Sequence, residues 1–381
     1  MVSQEQTGNT HNQPCVPTPA RRQRPRSLLT SLLLGACLFL GLLFVFEGLF
    51  RWTDLDRIFG WRSLGTYHGQ FEIKWFELRD YVRSHGGVDV LLLGNSMVNT
   101  GIDPDVLATE YEVLTGERLR VFNFGVEGLT VAPNSHLARV LAARYHPGSI
   151  LFFTEMRDYA AGNGVEVERR LLADEWMKAR LGGKETVRTW LKENSRVVQH
   201  LLFFRNWSRS DFLDSSLMLA RRFADTTTSG YERDANVGKS IEIPPDPADP
   251  DEQENFKLFT NFSIDPGRLE NLKSILDLHE DGTLVVITEM PVHANYFTYF
   301  GNEQAHENYL KKLVPFVEKN GGIFLPPPAW QRFPLYSRVD HHHLNAIGAV
   351  LHSRMLAQNL AVLCLDQSTC LLPAADGMAS P

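Results

Sequence analysis

Positive charge, cysteine and long apolar runs are all scarce in this chain of 381 residues. Its 38 Lys and Arg stand against 45 Asp and Glu, a net charge of −7. A nucleic-acid role therefore has no electrostatic support, and no nucleic-acid partner is expected. Residues 1–26 hold Arg21, Arg22, Arg24 and Arg26 against Glu5, a net +3 that leaves −10 for everything after them. The four cysteines are Cys15, Cys37, Cys364 and Cys370. Only the last two are placed to close a small loop in an oxidising compartment, and two separate thiols remain equally open. No carboxylate–histidine spacing of the zincin kind occurs, and neither a metal nor an organic cofactor is expected.

One apolar run reaches membrane-spanning length. Residues 1–26 are polar, basic and aperiodic, which predicts a disordered tail. From Leu28 to Phe46 nineteen residues follow without a charge, enough to cross a bilayer. We place a transmembrane helix at 27–50. The arginines before it, and the scarcity of positive charge just after it, put the N-terminus in the cytoplasm and the bulk of the chain outside. A cleaved signal peptide would have a shorter apolar core. Leu34-Gly35-Ala36-Cys37 resembles a lipoprotein processing box, but the apolar run continues well past Cys37.

Beyond a connector at 51–87, short apolar runs alternate with helical patterns. Val88–Leu93, Leu119–Phe124, Ile150–Phe153, Leu284–Ile287 and Ile323–Leu325 read as strands. Helical patterns cover Pro104–Thr115, Asn134–Tyr145, Arg268–Leu278, Glu303–Lys319 and Asn345–Leu360. This alternation predicts an α/β domain at 88–363 with a mostly parallel five-stranded sheet covered on both faces. The pattern is interrupted by an insertion at 166–262. Its first part is helical, with Val187, Trp190, Leu191, Val198, Leu201 and Leu202 on one face. Thr226–Glu254 is rich in Pro and Asp and reads as a loop or lid over the sheet edge. Residues 364–381 form a C-terminal tail.

Chemistry-bearing residues gather at the strand ends. Ser96 follows the first strand in Gly94-Asn95-Ser96, where open α/β sheets place ligands, although a plain helix cap would look the same. Gly125 and Gly128 follow the second strand and permit close backbone approach. The third strand ends Phe153-Thr154-Glu155-Met156 and the fourth Ile287-Thr288-Glu289-Met290, an echo that sets Glu155 and Glu289 at the same edge as Ser96 or is coincidence. In Asp340-His341-His342-His343 the carboxylate and the last imidazole are three apart, so Asp340 can hold the ring of His343 while its other nitrogen faces the sheet edge. A serine alcohol needs such a base. Adjacent histidines also suggest a metal, but consecutive side chains should splay apart, with His341 and His342 pointing elsewhere.

These motifs resemble the SGNH/GDSL hydrolase superfamily, in particular its membrane-anchored members that act on extracytoplasmic glycans. Gly94-Asn95-Ser96-Met97 is similar to the first block, Asn123-Phe124-Gly125 to the second, and Asp340 to His343 to the D-x-x-H of the fifth. The resemblance implies a three-layer α/β/α, flavodoxin-like fold and a triad of Ser96, His343 and Asp340. It also implies an oxyanion hole built from the N–H groups of Ser96 and Gly125. Asn95, Glu155, Arg157, Glu289 and His293 are assigned to substrate contact. Asn95 replaces the usual aspartate, and the third-block asparagine is missing from Thr154-Glu155-Met156-Arg157-Asp158, with Asn163 or Asn99 as substitutes. One lost oxyanion donor costs about 3 kcal/mol of transition-state stabilisation. The implied activity is that of a serine esterase or O-acyltransferase on acyl, in particular acetyl, esters of an envelope polysaccharide. The alternative is a non-catalytic binding or scaffold component of polysaccharide assembly, with envelope-assembly proteins as partners.

Overall fold

The computed structural model describes residues 28–53, 61–205, 207–238 and 241–367. The N-terminal tail, Cys15, Cys370 and most of the C-terminal tail lie outside these residues. The chain divides into two units at Leu49/Phe50. The first holds most of α1, Leu28–Thr53, a helix of 26 residues with no buried residue, whose most apolar 18-residue stretch has a mean hydropathy of 2.6. Such a helix is long and apolar enough to cross a membrane.

In the second unit, α2 (Gly69–His85) leads into β1 (Val90–Gly94), α3 (Ser96–Gly101), α4 (Pro104–Thr115) and β2 (Val121–Gly125). Then come α5 (Val131–Tyr145) and β3 (Ser149–Thr154). After a long excursion the chain returns through α12 (Pro266–Leu276) to β4 (Leu284–Glu289), α13 (Glu303–Lys319), β5 (Ile323–Phe324) and α14 (Ala346–Gln367). All five strands are parallel, in the order β2-β1-β3-β4-β5. The expected strands are present, shifted by one or two residues at their ends.

Near-continuous apolar strands dictate burial on both faces. Side chains alternate along β1, so Leu91 and Leu93 enter one core cluster with α2, α5, α12 and α13. Val90 and Leu92 enter the other, with α4 and α14. α14 also contains a stretch apolar enough to span a membrane, Ala346–Cys364, but half of its most apolar 18 residues are buried, and Leu356 and Leu360 pack in the second cluster with Leu107 and Tyr111. The Tyr111 hydroxyl donates to Cys364 Sγ at 3.3 Å.

Between β3 and β4 run α6 (Val165–Ala173), α7 (Glu175–Leu181), α8 (Val187–Asn194), α9 (Arg196–Phe204), α10 (Phe212–Asp225) and α11 (Gln253–Phe259). Here the structure shows which way two of the expected segments face. The apolar stripe of α8 and α9 is not a core face: Val187 is 78% exposed and Leu201 65%. Thr189, Lys192, Glu193, Gln199 and His200 are buried instead. The segment from Thr226 is also not a free lid at its start. Asn123 N–H donates to Ser229 O at 2.9 Å, which ties it to the outer edge of β2. Gly230 lies so close that a Cβ there would sit 2.3 Å from Asn123 O.

Candidate active site

The parallel sheet brings the end of β1 and the start of α14 to one edge. Asn95 caps α3, its Oδ1 accepting from Met97 N–H at 2.9 Å, so Ser96 is the first helical residue and presents its side chain at the strand end. The loop before α14 is tied by a bridge between Arg338 and Leu344. Within it Asp340 Oδ1 accepts from the backbone N–H groups of His342 and His343 at 2.8 and 2.7 Å. The other oxygen, Oδ2, lies 2.7 Å from His343 Nδ1. His343 Nε2 lies 2.8 Å from Ser96 Oγ.

An ionised carboxylate can only accept, so Nδ1 of His343 carries the proton and Nε2 is bare. Ser96 Oγ–H then donates into Nε2, and a proton can pass from the alcohol to the ring. Partial burial works against ionisation of Asp340. The His342 and His343 rings and the His343 N–H outweigh it and hold the carboxyl well below its ordinary range. His341 points away, its Nε2 against Ile243 O at 2.9 Å. His342 does not. Its ring lies 4.1 Å from that of His343 and its Nδ1 is 3.3 Å from Asp340 Oδ1. Consecutive side chains converge here because the loop is wrapped round one carboxylate. Burial and the charges of His343 and Arg157 push His342 well below its ordinary pKa. Asp340, His342 and His343 place their donor atoms within 4.8 Å of one another, as close as metal ligands stand. Two of these groups already bond each other in line with Ser96, an order that serves proton transfer.

A cavity of about 270 Å³ opens over Ser96, and Asn95, Glu155, Arg157 and His343 line it with Thr130, Asn163 and His342. A larger one, about 850 Å³, sits beside Gly148 and Gly282 at the opposite ends of β3 and β4, where no triad residue reaches. Glu289 and His293 do not line the Ser96 cavity. Glu289 faces His306 at 2.8 Å, and His293 Nδ1 accepts from Asn295 N–H at 3.2 Å with its ring against Trp330.

Glu155 is at the cavity but has its oxygens occupied. Asn95 Nδ2 donates to Oε1 at 2.7 Å, Arg157 donates to Oε1 and Oε2 at 2.8 and 3.0 Å, and the Tyr296 hydroxyl donates to Oε2. Burial would raise its pKa, but Arg157 and Tyr296 hold it below the ordinary value. Glu155 therefore holds Asn95 and Arg157 in place at the cavity wall. Arg157 spends Nε and one Nη on this pair, and its side chain keeps 20% of its surface open.

The expected oxyanion hole is only partly there. Ser96 N–H has no hydrogen-bond acceptor among the described residues. Gly125 N–H, by contrast, donates to Asn123 Oδ1 at 2.8 Å. A Cβ on Gly125 would stand 2.4 Å from Asn99 N, so the backbone that approaches this glycine is α3 and not a ligand. Asn99 is turned away, donating to Glu232 Oε2 at 2.8 Å. Asn163 reaches the cavity, but its amide donates to Arg157 O at 2.8 Å. Two further polar groups line the cavity: Arg157, expected at substrate contact, and Thr130, not expected there. Thr130, at the N-terminus of α5, makes no capping bond, and its Oγ1 is buried without a partner. The remaining Nη of Arg157 has no acceptor among the described residues. Thr130 before Val131-Ala132-Pro133 carries a helix-start signal that could have drawn attention to it. Compared with protein-family models and with curated proteins, the chain matches none.

Proposed function

We propose that this chain is a membrane-anchored serine esterase or O-acyltransferase of the SGNH type. In this reading Ser96 attacks an ester carbonyl while His343 takes its proton. Asp340 fixes the tautomer, and the departing alcohol recovers the proton from His343. Water or a sugar hydroxyl then releases the acyl group by the same route in reverse. The observation that carries the reading is the aligned relay of Ser96, His343 and Asp340, at 2.8 and 2.7 Å. The strand order 2-1-3-4-5 is that of doubly wound, flavodoxin-like sheets and sets Ser96 at their switch point. The oxyanion is held by Ser96 N–H with help from Arg157 and Thr130. The small cavity suits a short acyl group such as acetyl, borne on an extracytoplasmic glycan. α1 spans the membrane with the N-terminus inside.

A second reading draws on the occupied N–H of Gly125: a glycan-binding component of envelope assembly that keeps the fold without turnover. A fluorophosphonate probe separates the two. The wild-type chain should label at Ser96, and Ser96→Ala should not. Absence of labelling on wild type at neutral and mildly alkaline pH would sink the catalytic reading and leave the binding one.

A further inference from the structure

The proton relay leaves the outer face of the insertion unexplained. On and between α8, α9 and α10 the apolar side chains face outward. Trp190 is 51% exposed, Leu201 65%, Trp207 73%, Leu213 67%, Leu217 60% and Met218 56%. The inward face is polar and well partnered. Glu193, 1% exposed, accepts from Trp176 Nε1 at 2.7 Å, Arg180 at 2.6 Å and Arg144 at 2.8 Å. The helices are thus anchored through polar contacts, and their apolar stripe is left over. Phe212 contacts Phe203 and Phe204 at 6.0 and 5.9 Å and joins α9 to α10 in one continuous face. An apolar face of this extent on a folded unit marks an interaction surface.

Two observations say what covers it. The first is charge. Residues 187–225 hold seven basic and four acidic residues, a net +3 in a chain of net −7. Arg188, Arg209 and Arg221 are 71%, 62% and 86% exposed at their side chains, and their ion pairs are of the surface kind that exchanges partners at little cost. Trp, Phe and Leu on one side with arginines around them is the composition of helices that lie in a lipid headgroup layer. The second is the tether. Trp61 stacks on Phe203 at 5.9 Å and meets Phe204 edge-on at 5.6 Å. Only residues 54–60 separate it from the end of α1, so whatever path they take, the link reaches at most about 29 Å.

We infer that this face of α8–α10 is a second, interfacial membrane contact, seated among lipid headgroups with a preference for anionic lipid. It rests on α1 spanning the bilayer and is independent of the esterase reading. The test uses the full chain in phosphatidylcholine nanodiscs, with and without phosphatidylglycerol. Recovery of the protein with the discs reports insertion of α1 separately. The fluorescence difference between wild type and Trp190→Phe/Trp207→Phe isolates the two exposed indoles. Brominated acyl chains should quench that difference signal, aqueous iodide should quench it several-fold less than in Leu213→Asp/Leu217→Asp, and phosphatidylglycerol should widen the gap. Both replaced leucines are solvent-facing, and an unchanged thermal unfolding midpoint checks that the fold persists. Indoles open to iodide and untouched by brominated lipid in both kinds of disc would overturn the proposal. So would protection that follows the number of protein copies per disc and not the lipid, which would mean that a second copy covers the face.

Discussion

Replacing Asp340 with asparagine tests the relay at its most constrained point. Asp340 Oδ1 faces two backbone N–H donors, at 2.8 and 2.7 Å. An asparagine must keep its carbonyl oxygen there, because the flipped amide would set N–H against N–H. Its NH₂ then faces His343 Nδ1, which has to accept. The neutral ring carries its proton on Nε2, pointing at Ser96 Oγ, and no longer offers a base. In serine proteases this wrong tautomer lowers turnover by ~10⁴, about 5.5 kcal/mol, and the same geometry leads us to expect a similar loss here. Shape and both backbone contacts are kept, so Tm should stay near wild type. Asp340→Ala, which strands the two N–H groups, should lower Tm as well. The assay is kcat/KM on small acyl esters alongside the rate of fluorophosphonate labelling. An Asp340→Asn protein within about tenfold of wild type in both would refute the assignment of tautomer control to Asp340.

Ser96→Ala and His343→Ala should each abolish nearly all turnover, and the double variant should lose little more, since the pair acts as one unit; additive losses would speak against the shared proton path. Gly125→Ala forces a Cβ to 2.4 Å from Asn99 N, so the α3 backbone must shift, and Tm and labelling of Ser96 should fall together. Arg157→Met leaves the 5%-exposed Glu155 carboxylate without its charge partner, and denaturant unfolding should show a loss of about 3–5 kcal/mol. Glu72 is buried, and burial, only partly offset by hydrogen bonds from Ser63 and Thr66, raises its pKa from 4.5 to about 7. Between those values the folded state holds more protons than the unfolded one, so this contribution, about 3 kcal/mol, is present below pH 4.5 and is lost as pH rises to 7. Unfolding of Glu72→Gln across that window should lack this slope.

The strands were legible because burial on both faces leaves little room for polar residues, as Val90 to Leu93 show. The meeting of Ser96 and His343 was legible because a strand end and the loop before a last helix share one edge of a parallel sheet. What escaped depends on orientation, which composition does not carry. Helical periodicity in Val187, Trp190 and Leu201 says that one face is apolar, and it is silent on which way that face turns. The outcome was decided by Glu193 finding three donors inside. Gly125 was read as an oxyanion donor, but its N–H is taken by a side chain two residues earlier, a local bond that no spacing rule announces. His342 looked like a bystander because extended chains splay neighbouring side chains, whereas the Asp340 carboxylate folds this segment back on itself. The place of Glu155 was legible from its strand end, but its partners were not, since Asn95, Arg157 and Tyr296 come from three separate segments.

Ser96 and His343 are 247 residues apart, and the loop that carries His343 is held between β5 and α14, the last described elements of the chain. Synthesis runs from the N-terminus, so Ser96 is made long before His343. Until the final helix docks on α4, Ser96 is an ordinary hydroxyl beside an incomplete sheet. Under the proposed function, a chain caught before α14 docks would carry its serine with no reactivity. Proteolytic loss of α14 would then disarm the serine and leave the earlier elements in place.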